Sequence, residues 1–263
     1  MADSGATPGD NAPIVAALAE LGVLRFSGSD VVNFLQGYLT IETTKVDSEP
    51  RPAALTNLKG RVVANGWVLS TEPDTIDWVM HGSLIEAVGN FMSRYLAFSK
   101  TTAAPRQDDC LILGLAGAGD TPTVAVVSNE VALSAQLAER QPASEARWVE
   151  ACVRAGIALV TDSTAETFLP QMLGLVEQGA VDFDKGCYLG QEVVARAQHR
   201  GEVKRQLVRL SGATAELKAG MDVTDSSGRR LGTLVMIAGE QALAVLGPGD
   251  ATCLADGREL TRT

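Results

Sequence analysis

The texture of the chain breaks near Gly201, and that break constrains the fold more than any other feature of the sequence. Beyond it, Gln206–Leu210, Met221–Val223, Arg230–Ile237 and Ala242–Leu246 are short strand candidates, punctuated by Gly220, Ser227-Gly228, Gly239 and Gly247-Pro248-Gly249. No helical periodicity appears there. Short strands with turn residues between them, and no helix to cover a sheet face, predict a small all-β unit that closes on itself. A C-terminal β-barrel is therefore expected over residues 203–263.

Before the break, strands and helices mix without strict alternation. Leu21–Phe26 reads as a strand, and Ser29 or Asp30 caps a helix with Val31, Leu35 and Leu39 on one face. Ala53–Leu58 and Arg61–Leu69 read as strands joined by a turn at Lys59-Gly60, and Thr75–Met80 as a further strand. Ser83–Phe98 is the clearest helix, because Leu84, Ile85, Val88, Phe91, Met92 and Tyr95 repeat at helical spacing. Cys110–Leu115 and Thr123–Val127 follow as strands, then Glu130–Arg140 as a helix. The mixture predicts an α+β region over 14–200 rather than a doubly wound sheet. Residues 1–13, small and polar, read as a frayed, disordered tail.

Composition narrows the function. The chain has 263 residues, 46% hydrophobic and 21% charged, which suits one large core or two smaller ones. Its net charge of −10 opposes nucleic acid overall, so RNA contact needs a local basic patch. Cys110, Cys152, Cys187 and Cys253 are scattered, with no Cys-x-x-Cys, so neither a disulfide framework nor a stably bound metal is expected. The N-terminal stretch has no basic and apolar regions of a secretory signal, and no apolar run approaches membrane-spanning length. A cytoplasmic location without membrane contact is the expectation.

The densest stretch is Asp184–Gly201. Gly186 and Gly190 permit tight turning, Gln191–His199 reads as a helix with Glu192 and Arg196 as an i,i+4 pair, and Gly201 stops it. Cys187 stands just before that helix and two residues after Lys185, both of which favour the thiolate over a thiol that ordinarily titrates near ~8.5. On composition alone it reads equally as a small buried residue. Arg196, His199, Arg200, Lys204 and Arg205 form a basic cluster that suits a folate glutamate tail or an RNA phosphate, or simply a solvated helix face.

Lys185 through Arg196, read as Lys-Gly-Cys-Tyr-x-Gly-Gln-Glu-x-x-x-Arg, resembles the signature of the YgfZ family. Arg94-Tyr95-Leu96-Ala97-Phe98-Ser99-Lys100, Phe168-Leu169-Pro170-Gln171-Met172, and Leu35-Gln36-Gly37 with Thr40 resemble further segments of it, so the resemblance spans roughly residues 14 to 250. It implies a fold similar to the T-protein of glycine cleavage, an aminomethyltransferase: interleaved α/β subdomains around a central folate site, then the barrel. It also implies that the chain binds tetrahydrofolate or a one-carbon derivative and serves iron–sulfur proteins in cluster assembly, maintenance or repair, among them enzymes of tRNA processing. Cys187 becomes the working thiol and Lys185 the residue that tunes it, while Gln191, Glu192 and Arg196 shape the site.

Against the T-protein pattern two places differ. Its catalytic loop resembles Asn57–Asn65, but two consecutive aspartates there are Ala64 and Asn65 here, and neither is a carboxylate base. Its pterin-gripping acid corresponds to Arg154, which cannot accept N–H bonds and suits a folate carboxylate instead. Trp148 matches a tryptophan that contacts folate in the family, whereas a second one falls at Leu21. The leading expectation is a folate-binding accessory protein. The alternatives are a folate-dependent aminomethyltransferase or methyltransferase, and an RNA-binding module using Arg196, Arg200, Lys204 and Arg205, which the net charge opposes.

Overall fold

The computed structural model describes residues 12–106, 110–117, 120–201, 203–249 and 252–263, so of the tail expected over 1–13 only the last two residues are described. In chain order the strands are β1 (Ile14–Ala17), β2 (Leu21–Ser27), β3 (Arg51–Thr56), β4 (Val62–Glu72), β5 (Thr75–His81), β6 (Thr102–Arg106), β7 (Leu111–Ala116), β8 (Thr123–Val127), β9 (Gln141–Pro142), β10 (Gln206–Gly212), β11 (Asp222–Thr224), β12 (Arg230–Ala238), β13 (Gln241–Leu246), β14 (Thr252–Ala255) and β15 (Arg258–Arg262). The helices are α1 (Val31–Gln36), α2 (Ile85–Leu96), α3 (Glu130–Glu139), α4 (Glu145–Ala155) and α5 (Gln191–Arg200).

An antiparallel sheet runs in the order β3-β4-β5-β2-β6, and a second runs β8-β7-β1-β9. The chain enters the second sheet with β1, builds the whole of the first with β2 to β6, and returns to the second with β7 to β9. The two subdomains are thereby interleaved, as expected. β10 to β15 close into a barrel in the order β10-β13-β12-β11-β14-β15.

Packing follows the apolar patterns. α2 buries Val88 and Met92 and leaves Glu86 and Asn90 in solvent. It is shorter than the expected helix: Gly82–Leu84 form a 3-10 turn, and the helix ends at Leu96. α1 also stops early, at Gln36, so Leu39 leaves the helix and makes a lone antiparallel bridge to Leu55. Leu35, Leu55, Trp78 and Met92 belong to the main core, which continues through Val153 into Val235, Leu243 and Val245 of the barrel. Trp67, Trp148 and Cys152 sit in a second core under the second sheet, and Leu210, Leu234 and Leu260 fill the barrel. Each such aliphatic side chain contributes roughly 1.5–3 kcal/mol.

Candidate functional site

A cleft of about 290 Å³ opens between the first sheet, the Thr121–Thr123 segment and the chain that follows α4; Pro52, Asn65, Trp67, Pro122, Ile157 and Gln178 are among its lining residues. Asn65 is buried in β4. Its Nδ2 donates to the Ala158 carbonyl at 2.8 Å, and its Oδ1 accepts from the Val160 N–H at 2.9 Å. Both halves of the amide are spent on holding residues 158–160 against the strand, and Ala64 beside it is fully buried. No titratable group stands at either position.

Two residues further along β4 the side chains return to the same face, and Trp67 joins Asn65 on the cleft wall. Trp148 lies behind it. That indole is 1% exposed, sits 5.9 Å from the Trp67 ring at 56°, and donates Nε1–H to the Thr123 carbonyl at 3.1 Å. Gly114 makes room for it, since a Cβ there would lie 2.6 Å from the ring. Trp67, itself 4% exposed, is among the residues lining the cleft, and Trp148, which the resemblance implies as a folate contact, packs behind it. The sequence reading passed over Trp67; its signal was a tryptophan two positions from Asn65 in a strand. Arg154, on the last turn of α4, is exposed and outside the cleft lining; its carbonyl accepts from Arg209 Nη1.

The signature segment docks onto the β3–β4 turn and the end of α1. Thr56 Oγ1 donates to the Leu189 carbonyl at 2.6 Å, and Leu189 N–H donates to the Gly37 carbonyl at 3.0 Å. Gly190 caps α5 with φ of +82°, and a Cβ there would lie 2.2 Å from the Asn57 carbonyl oxygen, so both conformation and contact require glycine. Val194 then buries α5 in the main core, Gln191 is half-buried, and Glu192 and Arg196 are exposed. Among the described residues no ion pair joins Glu192 to Arg196, contrary to the expected i,i+4 pairing: on an exposed helix face such a pair gains little over water.

The Lys185 ammonium is committed to backbone carbonyls. Its Nζ donates to the carbonyls of Gln36, Leu39 and Ile41 at 2.8, 2.6 and 2.7 Å, which takes all of an ammonium's three N–H bonds. Burial pulls this ammonium down to about 8, against the pull of Glu42 and Asp182, which favour the charge, while Arg51 opposes it. Lys185→Met is expected to lower stability by about 2 kcal/mol at pH 7, since three carbonyls lose their donor while a buried charge is relieved. The folded pKa lies below the ordinary 10.5, so between about 8 and 10.5 the unfolded chain holds the extra proton and the wild type gains stability with rising pH. Urea unfolding across that window should show the gap between wild type and Lys185→Met widening; a constant gap would refute the assignment.

Cys187 is exposed and is not among the residues lining the cleft. The structure therefore separates an Asn65–Trp67 cleft from an open thiol. The basic cluster divides too. Arg196 and Arg200 face solvent on α5, whereas Lys204 and Arg205 join Arg61 and Arg230 around another cleft of about 490 Å³. Among the described residues no three His, Cys, Asp or Glu side chains gather as metal ligands. Among them too, no helix is long and apolar enough to cross a membrane.

Interleaved sheets, a cleft at their junction and a closing barrel define the aminomethyltransferase fold. The glycine cleavage system aminomethyltransferase T from Bartonella henselae superposes with a TM-score of 0.70 over 96% of this chain and 85% of its own, at 13% identity. By sequence the chain is similar to the YgfZ proteins. It is 29% identical over 265 residues to the tRNA-modifying protein YgfZ of Pectobacterium carotovorum, covering 85% of this chain and 79% of that one. The protein of the same name from Klebsiella pneumoniae is 28% identical over 259 residues, 83% and 79% of the two chains. No family model matches the chain.

Proposed function

We propose that this chain binds tetrahydrofolate or a one-carbon derivative in the Asn65–Trp67 cleft. We propose further that it supports the assembly, maintenance or repair of iron–sulfur enzymes, including those that modify tRNA. The observation that carries the folate reading is Trp67 on the wall of a cleft whose lining also includes Pro52, Pro122 and Ile157. These are flat or apolar surfaces suited to a ring system, on a fold shared with an aminomethyltransferase. The residues that would hold the ligand are Trp67 by stacking and Gln178 and Thr123 by hydrogen bonding. A reduced folate supplies a one-carbon unit carried on nitrogen.

The link to tRNA enzymes rests on the name of the relatives. The link to iron rests on Cys187, an exposed thiol that a soft metal can reach without rearrangement. Arg196, Arg200, Lys204 and Arg205 remain the surface for any direct RNA contact, and the cytoplasm the proposed location.

The test is a titration of purified protein with 5-formyltetrahydrofolate followed by tryptophan fluorescence and calorimetry. Saturable binding is expected. Trp67→Ala is expected to weaken it at least tenfold, on the scale of about 1–3 kcal/mol for stacking a flat base on an aromatic side chain. Absence of saturable binding to the wild type defeats the folate reading.

A further inference from the structure

The cleft around Arg61, Lys204, Arg205 and Arg230 is not used by the folate reading, and it shares no lining residue with the Asn65–Trp67 cleft. It lies where the β3–β4 turn, the Thr167–Met172 segment, the end of α5 and β12 of the barrel meet. Four cations line about 490 Å³ in a chain of net charge −10, and among the described residues no aspartate or glutamate lines it. Glu202 stands between Gly201 and Val203 in sequence and is outside the described residues. Counting it, and Asp222, which pairs with Arg230 at 2.8 Å, cations still outnumber carboxylates. The carbonyl end of α5 at Gly201 opposes an anion with roughly half an elementary charge, less than any one of the cations supplies.

Two of the cations are held in place. Arg61 Nη1 donates to the Thr167 carbonyl at 2.9 Å. Its backbone is fixed in the turn by Asn57, whose Oδ1 accepts from the Arg61 N–H at 3.1 Å and whose N–H donates to the Arg61 carbonyl at 2.9 Å. Nε and Nη2 of that guanidinium are left for a ligand. Arg230 spends Nη2 on Asp222 and on Thr233 Oγ1, at 2.8 and 2.9 Å, and keeps its other donors. Lys204 and Arg205 are exposed beside them. Phe168, Leu169 and Met172 add apolar surface to the same lining.

A phosphate monoester carries about −1.5 to −2 at pH 7 on three acceptor oxygens, so it can draw on several cations at once. A single carboxylate is satisfied by one arginine fork. The apolar lining adds a demand that bare phosphate does not meet, for an organic body attached to the anion, and the volume is of small-molecule size. We infer that this cleft binds a phosphate monoester carried on a nucleoside-sized body. The phosphate sits among Arg61, Lys204, Arg205 and Arg230, and the body lies against Leu169 and Met172. This is a second ligand site, independent of folate. A free nucleotide and the 5′-phosphorylated end of an RNA present the same chemistry to it.

The experiment titrates adenosine 5′-monophosphate into the full chain by calorimetry, beside adenosine. Saturable binding of the monophosphate is expected, at least about tenfold tighter than that of adenosine. Lys204→Ala/Arg205→Ala should weaken it by at least about tenfold and keep the wild-type melting temperature, since both side chains are exposed. Lys45→Ala/Lys100→Ala removes the same charge at exposed positions outside the cleft lining and should leave affinity within about twofold. Competition with short RNAs separates the two sources. Displacement by a 5′-phosphorylated oligoribonucleotide but not by its 5′-hydroxyl form assigns the RNA end, and displacement by neither assigns the free nucleotide. The inference is overturned by absence of saturable monophosphate binding or by equal affinity for adenosine. Equal losses in the two double variants, or equal displacement by the two RNAs, overturn it as well. The folate reading stands or falls separately, on the 5-formyltetrahydrofolate titration.

Discussion

Asp77→Asn is expected to cost about 3–5 kcal/mol of folding stability, the usual penalty for removing one partner of a buried ion pair. Asp77 is fully buried in the middle of the first sheet. Its Oδ1 accepts from Arg25 Nε at 2.7 Å, and its Oδ2 accepts from Arg25 Nη2 at 2.8 Å, Arg106 Nη1 at 2.7 Å and Thr71 Oγ1 at 2.9 Å. Arg25 lies directly opposite on β2, and Arg106 arrives from β6 on the far side of that strand. One carboxylate on β5 thus ties in three other strands, β2, β6 and, through Thr71, β4, and it raises the Arg25 guanidinium further above its already high value. An asparagine keeps the shape but removes the anion that both arginines share and offers a single acceptor oxygen in place of two. The exposed partner of the same arginine is the control: Glu72, 3.1 Å from Arg25 Nη1, should cost under ~1 kcal/mol on change to alanine. Urea unfolding of both variants decides it, and a loss below about 1 kcal/mol for Asp77→Asn would show the cluster to be dispensable. Against a typical total of about 5–15 kcal/mol, the expected loss decides whether the chain folds at all at 37 °C.

That cluster shows where sequence reading stops. The mixed first region and the all-β barrel were legible from periodicity and from glycine spacing. Arg25, Asp77 and Arg106 were not singled out, because nothing local says that an aspartate in an apolar strand will meet arginines of two other segments. Strands were missed for identifiable reasons. β1 is four residues long. β6 carries Pro105, which the sheet tolerates because β6 is an edge strand paired to β2 alone. α4 escaped notice although its amphipathic pattern puts Trp148 and Cys152 one turn apart and its end is marked by Gly156 at φ +70°. The texture break at Gly201 is real, yet it is not a break in packing, since Val235, Leu243 and Val245 of the barrel complete the core begun by the first sheet.

The site was legible as a segment and not as an arrangement. Lys185 stands two residues from Cys187, but direction in a loop is set by what the side chain meets. Here that is a trio of carbonyls released where α1 stops at Gln36. Those carbonyls belong to a distant part of the sequence, and their availability depends on the helix ending early, which the apolar spacing of Val31, Leu35 and Leu39 hid. Trp67 went unread for a similar reason: alternation in a strand says which residues share a face, and not which face meets a cleft.

The separation of thiol and cleft makes a sharp expectation for Cys187→Ser. Cys187 is exposed, so the change should alter stability by less than ~0.5 kcal/mol. It should also leave 5-formyltetrahydrofolate binding unaltered, since the residue lies outside the cleft lining. Serine reproduces the shape of cysteine but not its chemistry: a hydroxyl is far harder to ionise than a thiol and is a poor ligand for a soft metal. In a bacterial strain lacking its own YgfZ, the variant is expected to restore less than about a tenth of the activity of iron–sulfur tRNA-modifying enzymes that the wild type restores. Trp67→Ala should behave in the opposite sense, losing folate affinity while keeping the thiol. Full restoration by Cys187→Ser at wild-type protein levels would remove the sulfur from the mechanism and leave the cleft to account for function alone. Failure of both variants, each folded and each defective in a different binding property, is the outcome that requires thiol and folate to act together. The geometry gives that outcome a physical form, because the signature segment bearing Cys187 is bolted through Thr56 and Gly190 to β3 and the β3–β4 turn. The same hairpin, through β4, carries Asn65 and Trp67 to the cleft wall.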